Sequence, residues 1–157
     1  MVLVDNTVLS NFAKVNRMDL LRKAFEKLYV TEQVLEEFRV GVERGVLPNI
    51  PIDFEVLKIK EDELELYDSL RIKLGRGEAS CLAIAKNRSM KFLTDDSDAR
   101  KVANILGVSV SGTIGVLVRC VEKGLITKEE GNKILKEMLV KGFYSPISDL
   151  SDLDEIG

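Results

Sequence analysis

Acidic side chains at four separated places in the chain are the groups best suited to chemistry. They are Asp5, Glu37, Glu78 and the run Asp95, Asp96 and Asp98. Two carboxylates about 4 Å apart repel by roughly 4 kcal/mol at an effective dielectric of about 20. A fold that brings these acids into one cleft must therefore protonate some of them or place a cation among them. Carboxylate oxygens select hard divalent ions such as Mg²⁺ or Mn²⁺.

Asp5 and Glu78 each have a structural alternative to metal binding. Asp5 ends the apolar run Val2–Val4, where the ligand sites of parallel sheets lie, but an aspartate there also caps a following helix. Glu78 shares a helix face with Cys81 and Leu82, where an unpaired charge is costly. It also lies in a first helical turn, where it complements the helix dipole from solvent. The sequence leaves both interpretations open.

Glu36 and Glu37 are separated by helical geometry. Val34 and Phe38 lie on the apolar stripe of their helix, and Glu36 points nearly opposite that stripe. Glu37 lies on its border, so if either carboxylate faces a cleft at the sheet edge, Glu37 does. A solvated surface glutamate is the alternative.

Three acids, Asp95, Asp96 and Asp98, follow an apolar run at 91–94. A helix cap with solvated neighbours explains one or two of them, and not why a buried strand ends on all three. The residue types alone do not decide which of them faces a cleft.

The absence of histidine excludes several classes of enzyme. The chain contains no His, which removes Ser-His-Asp triads, Cys-His pairs and HExxH zinc sites. The net charge of −3 does not indicate nucleic-acid binding, although a chain with this net charge can still carry a local basic patch. Cys81 and Cys120 fall in apolar helical patterns, which indicates buried thiols in a reduced cytoplasm.

Alternating apolar runs and helical patterns predict an α/β fold with a mainly parallel sheet of about five strands. The predicted strands are residues 2–4, 27–30, 54–59, 91–94 and 108–110. Asn6 and Thr7 are predicted to turn the chain and cap the first helix. The further predicted helices cover residues 18–25, 32–45, 61–74, 78–88, 98–106, 113–123 and 127–141. The helix at 61–74 is predicted to bury a leucine stripe made of Leu64, Leu66, Leu70 and Leu74.

Five segments, taken in order, resemble the PIN domain. They read VLVDNTVLSNFAKV, VLEEF, LGRGEASCLAIAKN, FLTDDSDARKVA and SGTIGVLVRCVEKGLI. The resemblance covers about residues 1–145 and is closest to the small prokaryotic branch that includes VapC-like toxins. It implies a three-layer α/β/α sandwich, an acidic pocket at the strand ends, Mg²⁺- or Mn²⁺-dependent endoribonuclease activity and often a homodimer.

The resemblance also implies roles for particular residues. The catalytic and metal-binding acids it implies are Asp5, Glu37, Glu78 and Asp96, with Asp95 and Asp98 as rivals for the fourth position. Thr7 supplies a nearby hydroxyl, and Asn6 departs from the family pattern, in which a small hydroxyl residue is usual. The candidate phosphate contacts are Lys14, Arg17, Arg76 and Arg100, each with a solvated surface charge as its alternative.

The leading hypothesis is therefore a metal-dependent ribonuclease that hydrolyses phosphodiester bonds of single-stranded or structured RNA. The role of a toxin in a type II toxin–antitoxin pair, with an antitoxin protein as partner, is one form of this hypothesis. One alternative is a non-catalytic PIN-like module that binds RNA or protein. Another is a small-molecule phosphatase, although such enzymes typically carry a second aspartate where this chain has Thr7. The expected organisation is one nuclease domain at 1–145, followed by an acidic tail at 146–157, docked or partly disordered. No signal peptide or membrane span is expected, which favours a cytoplasmic location.

Overall fold

Five short parallel strands form the centre of the structure, a computed structural model that describes residues 1–153. The strands are β1 (Val2–Val4), β2 (Leu28–Thr31), β3 (Glu55–Leu57), β4 (Lys91–Leu93) and β5 (Val110–Ser111). They lie side by side in the order β3-β2-β1-β4-β5, and every neighbouring pair is parallel. The predicted three-layer α/β/α sandwich with a five-stranded parallel sheet is confirmed.

Helices connect the strands, as parallel pairing requires. In residues 1–153 the α-helices are α1 (Asn6–Lys14), α2 (Met18–Ala24), α3 (Glu32–Glu43), α4 (Leu64–Leu70), α5 (Arg76–Arg88), α6 (Ser97–Leu106), α7 (Thr113–Glu122) and α8 (Lys128–Val140). Short 3₁₀ turns occupy Glu61–Glu63 and Leu150–Asp152. Within the same residues, no helix has both the length and the apolar surface that a membrane crossing needs.

Helix α5 packs across the middle of the sheet, against β1, β2 and β4. Its small residues Ala79, Ser80 and Ala83 are fully buried, so the helix backbone approaches the strands closely. A helix that is buried on most of its circumference must be apolar or small almost all round. The single acid near its start, Glu78, is therefore conspicuous.

Strand β1 lies at the centre of the sheet, where the direction of the strand order changes. Val4 is in register with Leu93, so the two residues that follow, Asp5 and Thr94, emerge side by side at the carboxyl edge. The backbone N–H of Asp5 donates to the carbonyl oxygen of Leu93 at 2.9 Å. In open parallel sheets this switch point is where ligands bind.

The predicted leucine stripe at 61–74 is only partly correct. Leu74 is buried, but Leu64 is 46% exposed, and regular α-helix is confined to α4. The preceding 3₁₀ turn is anchored instead by Glu63, which is 1% exposed and pairs with Arg88 at 2.8 Å. A charged anchor of this kind breaks the leucine periodicity on which the prediction relied.

Several predicted boundaries are also shifted: β2 covers Leu28–Thr31 rather than 27–30, and β3 covers Glu55–Leu57 rather than 54–59. Helix α5 begins two residues before the predicted start, because Gly75 adopts the extended conformation of an N-cap residue. Strand β5 lies at Val110–Ser111 rather than 108–110. Val108 closes α6 instead, since its N–H donates to Ala103 at 2.8 Å after Gly107 turns left-handed with φ of +74°.

The other predicted helix ends agree with the structure to within two residues, and both thiols are buried as predicted. Thr31 caps α3 by accepting from Val34 N at 3.1 Å, and Thr127 forms the predicted capping box of α8. Cys81 and Cys120 are fully buried and unpaired, as predicted.

The described part of the predicted tail contacts helix α8. Ile147 and Leu150 are buried, and Leu150 N donates to Asn132 Oδ1 at 2.7 Å. Residues 154–157 of that tail lie outside the described residues.

Candidate active site

Asp5 is buried at the carboxyl end of β1, with a relative exposure of 1%. Its Oδ1 accepts from Asn6 N at 2.8 Å, so Asp5 itself caps α1. The prediction that Asn6 and Thr7 cap this helix is wrong, because the extended residue that precedes the first turn is Asp5. Asp5 Oδ2 accepts from the hydroxyls of Thr7 at 2.9 Å and Thr94 at 2.8 Å. Three donors thus fix the orientation of this carboxylate.

The pKa of Asp5 is raised to about 6, mainly because burial removes water from its charged form. The hydrogen bonds from Thr94, Thr7 and Asn6 act in the opposite direction, and the nearby charge of Glu37 raises the pKa further. The hydrogen bonds stabilise the carboxylate but do not compensate for its burial. Within residues 1–153, Asp5 forms no ion pair that would lower its pKa.

Glu37 on α3 faces the first turn of α5. Its Oε1 accepts from Gly77 N at 2.8 Å. A Cβ atom on residue 77 would lie 2.7 Å from that same oxygen, so a larger residue there would displace the Glu37 carboxylate. Glu36 is exposed and pairs with Arg39 at 2.9 Å. The predicted division between the two glutamates is therefore what the structure has.

Glu78 interacts electrostatically with acids of α3, β1 and the turn after β4. Its Oε2 accepts from Gly75 N at 3.2 Å, so the helix-end interpretation of this residue holds. Its pKa is nevertheless raised to about 7, first by burial, then by the charges of Asp5 and Asp96, and also by Glu37. Both interpretations offered by the sequence therefore apply, since Glu78 closes the first turn of α5 and also faces the other acids.

Four carboxylates from distant parts of the chain therefore form what we call the acidic cluster, made of Asp5, Glu37, Glu78 and Asp96. The charges of Asp5, Glu37 and Asp96 raise the pKa of Glu78, and the charge of Glu37 also raises the pKa of Asp5. No ion pair within residues 1–153 involves any member of the cluster. Electrostatic interaction thus links Glu78 to the three other acids that the resemblance implied.

Asp96 and Asp95 accept hydrogen bonds from different parts of the chain. Asp96 caps α6, and its Oδ2 accepts from Ala99 N at 2.8 Å. Asp95 Oδ1 accepts from Thr113 N at 2.8 Å, and its Oδ2 accepts from Thr113 Oγ1 and from Asn11 Nδ2. Asp95 thus joins α7 to α1 with both of its oxygens. The third rival, Asp98, is exposed in the first turn of α6.

The four basic side chains that were candidates for phosphate contacts lie in different parts of the structure. Arg76 is exposed at the start of α5 and lines the same cleft as Glu37. Arg100 Nη1 donates to the carbonyl oxygen of Thr94 at 3.1 Å, so it supports the loop that carries Asp95 and Asp96. Arg17 pairs with Asp19 at 3.1 Å, and Lys14 lines a different cleft. Arg76 alone among these four borders the cleft beside the cluster within residues 1–153.

The α3 cleft, as we call it, is an open depression of about 670 Å³ next to the cluster. The polar side chains that line it are Asn6, Glu32, Gln33, Glu36, Glu37 and Arg76. It combines the approach to Glu37 with an arginine, so an extended polar ligand that lies in it would reach the cluster.

The fit of a divalent cation follows from the donors. Glu37, Glu78 and Asp96 each use one oxygen for a backbone N–H, which leaves their second oxygens for a hard cation or its water. Among residues 1–153, no three Asp, Glu or Cys side chains already have the geometry of a metal site. The donor set and the mutual repulsion therefore fit a cation, and binding requires the side chains to move together.

Several contributing residues carry no clear signal in the sequence. Thr94 donates to Asp5, and Asn11 is buried on the apolar face of α1 at 8% exposure. A polar residue within an apolar helical stripe is the signal that would have drawn attention to Asn11, since buried amides require partners. Gly77 carries no such signal, because a glycine near a helix start has many causes.

The whole described chain matches one protein family. The model of the DUF3368 family, described as a PIN domain, matches residues 1–152, and the chain therefore belongs to the PIN domain family. PIN domains are generally nucleases.

Among solved structures, the chain is similar to one chain of "Structure of FitAB bound to IR36 DNA fragment". The TM-score is 0.52 and the identity 19%, over 72% of this chain and 95% of that one. At this identity the likeness supports the fold alone. No curated protein matches the chain.

Proposed function

We propose that this protein is an endoribonuclease that hydrolyses phosphodiester bonds of single-stranded RNA and requires Mg²⁺ or Mn²⁺. The observation that carries the proposal is the acidic cluster: Asp5, Glu37 and Asp96, from β1, α3 and the turn after β4, all raise the pKa of Glu78 on α5. Membership of a family of nucleases supports the same chemistry. Without histidine, acid–base or metal chemistry in this chain must use carboxylates, lysine, tyrosine or thiol, and carboxylates are the groups that suit a hard divalent cation.

In this proposal Asp5 and Asp96 hold the cation most directly, and Glu37 and Glu78 hold its water or a second ion. When bound, a divalent cation stabilises the charge that develops on the reacting phosphate and lowers the pKa of water. The Thr7 and Thr94 hydroxyls fix Asp5 Oδ2 and keep the carboxylate oriented. Gly77 N does the same for Glu37.

The rest of the chain positions the substrate. Arg76 lies on the α3 cleft beside Glu37, where its guanidinium can pair with a substrate phosphate. Arg100 is less suited to that role, because it already donates to the Thr94 carbonyl. The proposed approach of the RNA along the α3 cleft therefore rests on Arg76, which forms no ion pair within residues 1–153, and on the open space next to it.

The test is cleavage of a labelled single-stranded RNA with Mn²⁺, with Mg²⁺ and with EDTA. We expect cleavage only with metal, and a loss of at least about a hundredfold in Asp5→Asn, since that variant removes a charge aimed at the reacting centre. Asp98→Asn is the matched control, because Asp98 is an exposed acid that lies two residues from Asp96. Circular dichroism checks that both variants are folded.

Two results would contradict the proposal: cleavage by Asp5→Asn at the wild-type rate, and cleavage that persists in EDTA. A single-stranded DNA of the same sequence belongs in the assay, because the FitAB structure contains a DNA fragment whereas the preference for RNA here rests on family resemblance.

Measurements on the wild-type protein distinguish the proposal from its two alternatives. A non-catalytic binding module shows no rise in melting temperature with Mn²⁺ and no cleavage. A phosphatase turns over a small phosphate ester and leaves RNA intact. The homodimer, the antitoxin partner and the toxin role implied by the resemblance stay predictions; light scattering and copurification test the first two.

A further inference from the structure

Two adjacent acids follow β4, and the structure gives them different hydrogen-bond partners. Asp96 accepts a hydrogen bond with one oxygen, from Ala99 N. Asp95 accepts with both oxygens, from Asn11 Nδ2 at 3.0 Å and from the N–H and hydroxyl of Thr113. We call Asp95, Asn11 and Thr113 the Asp95 anchor, because they join the turn after β4 to α1 and to the start of α7.

The Asp95 anchor is held in place by burial and by hydrogen bonds within it. Asn11 is 8% exposed and Thr113 is fully buried. Asn11 Nδ2 also donates to Thr113 Oγ1 at 3.1 Å, so the three side chains form a closed set of hydrogen bonds. A Cβ atom on residue 112 would overlap Asp95 Oδ1, so Gly112 leaves room for the carboxylate. Because buried polar groups without partners destabilise a fold, each member of the anchor depends on the other two.

The backbone of the same turn connects to Asp5 through two hydroxyls. Asp95 N donates to Thr7 Oγ1 at 3.0 Å, and Thr7 Oγ1 donates to Asp5 Oδ2 at 2.9 Å. In the same way, Asp96 N donates to Thr94 Oγ1 at 3.1 Å, and Thr94 Oγ1 donates to Asp5 Oδ2 at 2.8 Å. A hydroxyl has a single proton, and both hydroxyls direct it at Asp5 while they accept from the turn. The position of the turn therefore fixes the orientation of the Asp5 carboxylate.

The Asp95 anchor thus acts on the two acids that are proposed to hold the cation most directly. It fixes the turn after β4, whose backbone orients Asp5 and whose next residue is Asp96. Hydrogen-bond partners that orient ligand oxygens contribute strongly to metal affinity, and their loss typically costs about 10- to 100-fold in binding. Asp95 can therefore affect metal binding without touching the cation.

We propose that Asp95 is a positioning residue of the metal site and not a ligand of the cation, with Asn11 and Thr113 acting through it. This inference rests on the proposed metal-dependent function and divides the roles of two neighbouring acids: Asp96 holds the cation, and Asp95 holds the turn. The two roles make different demands on position 95. A ligand must present a carboxylate there, whereas the anchor requires one carboxylate and one amide, shared between positions 11 and 95.

The experiment exchanges the two side chains, in the double variant Asn11→Asp with Asp95→Asn. The exchange conserves the net charge; the amide at position 95 can donate to the carboxylate at position 11, and its oxygen can still accept from Thr113 N. Electron paramagnetic resonance of unbound Mn²⁺ measures the dissociation constant, and circular dichroism checks folding. We expect Asp95→Ala to weaken Mn²⁺ binding about tenfold and the exchange to bind within about threefold of the wild type. A ligand role predicts instead that both variants bind equally weakly.

A second pair of variants tests the hydroxyl of the anchor. Thr113→Val removes the hydroxyl that donates to Asp95 and should weaken Mn²⁺ binding severalfold, whereas Thr113→Ser keeps the hydroxyl and should bind as the wild type does. The matched control is Thr127→Val, which removes the hydroxyl that caps α8. The control should lower the melting temperature and leave the dissociation constant for Mn²⁺ unchanged. A Thr113 hydroxyl that only supports the fold would behave like this control.

The proposal is overturned if the exchange binds Mn²⁺ as weakly as Asp95→Ala, or if Thr113→Val binds it as tightly as the wild type. Should the exchange fail to fold, the comparison of Thr113→Val with Thr113→Ser decides the question. Failure of the ribonuclease proposal is seen separately, as Mn²⁺ binding without RNA cleavage, and the effect of the anchor on Mn²⁺ affinity can survive that failure. A wild-type protein that binds no Mn²⁺ overturns both proposals.

Discussion

Two buried carboxylates in this protein have opposite surroundings. Glu63, before α4, accepts from both Nε and Nη2 of Arg88, from Asn87 and from Lys60 N. Burial would raise its pKa, but these partners lower it to about 2. Asp5 is equally buried, yet it has only hydroxyl and backbone donors, and its pKa is raised to about 6.

We expect this difference to distinguish a structural charge from one that belongs to the proposed active site. A fold that needs a buried carboxylate only for its architecture supplies a cation from its own chain, as Arg88 does for Glu63. The acidic cluster has no such cation within residues 1–153, and its members repel one another. Repulsion that the fold tolerates but does not relieve is typical of a binding site.

The largest expected effect on stability comes from removing Arg88. In Arg88→Met the buried Glu63 loses its charge partner, and we expect a loss of about 3–5 kcal/mol in the free energy of unfolding. Urea denaturation of the metal-free protein measures it. The double variant Glu63→Met with Arg88→Met should recover much of that loss, because no buried charge remains.

Asp5→Asn is the matched substitution in the acidic cluster. Its effect on the free energy of unfolding should be opposite in sign to that of Arg88→Met. Removing one of several repelling charges should leave the metal-free protein as stable as the parent or more stable. A loss as large as that of Arg88→Met would show that Asp5 is a structural charge, and the contrast between the two regions would fail.

The second prediction is that the two regions respond oppositely to pH. Asp5 and Glu78 have pKa values raised to about 6 and about 7 in the folded chain, so the folded state binds more protons than the unfolded state above about pH 4. Their contribution to stability is complete at lower pH and is lost as the pH rises to 7. For Asp5 it is on the order of 3 kcal/mol.

Glu63 behaves in the reverse way, because its pKa is lowered to about 2. Its contribution is present above its ordinary pKa of 4.5 and is lost as the pH falls towards 2. Urea denaturation of the protein in EDTA at several pH values measures how the free energy of unfolding depends on pH. Asp5→Asn should reduce the loss of stability between about pH 4 and 7, and Glu63→Gln should reduce the loss of stability below pH 4.5. An unchanged pH dependence in either variant would contradict the assignment of that residue.

The smallest expected effects compare two neighbouring glutamates. Glu36 is exposed and pairs with Arg39, so Glu36→Gln should change stability by less than about 0.5 kcal/mol and leave the Mn²⁺-induced rise in melting temperature intact. Glu37→Gln should reduce that rise, because its carboxylate belongs to the acidic cluster. Equal responses of the two variants to Mn²⁺ would remove Glu37 from the proposed ligands.

Local pattern was sufficient for those residues whose surroundings are set by neighbours in the sequence. Helical periodicity separated Glu37 from Glu36, and the glycine and threonine signals located most helix ends. It failed at 61–74, where a long-range pair between Glu63 and Arg88 replaced the expected leucine packing. It also could not assign Asp95, whose partners lie on α1 and α7.

The sequence alone determined that this is a parallel α/β domain, since strand and helix periods are local, and the absence of histidine led to the prediction of a carboxylate site. Only the tertiary structure decided which acids meet. The charge of Asp96 acts on Glu78, whereas Asp95, one residue away, is held by Asn11 and Thr113. The physical reason is that the turn after β4 directs successive side chains to different neighbours, and those neighbours come from helices remote in sequence.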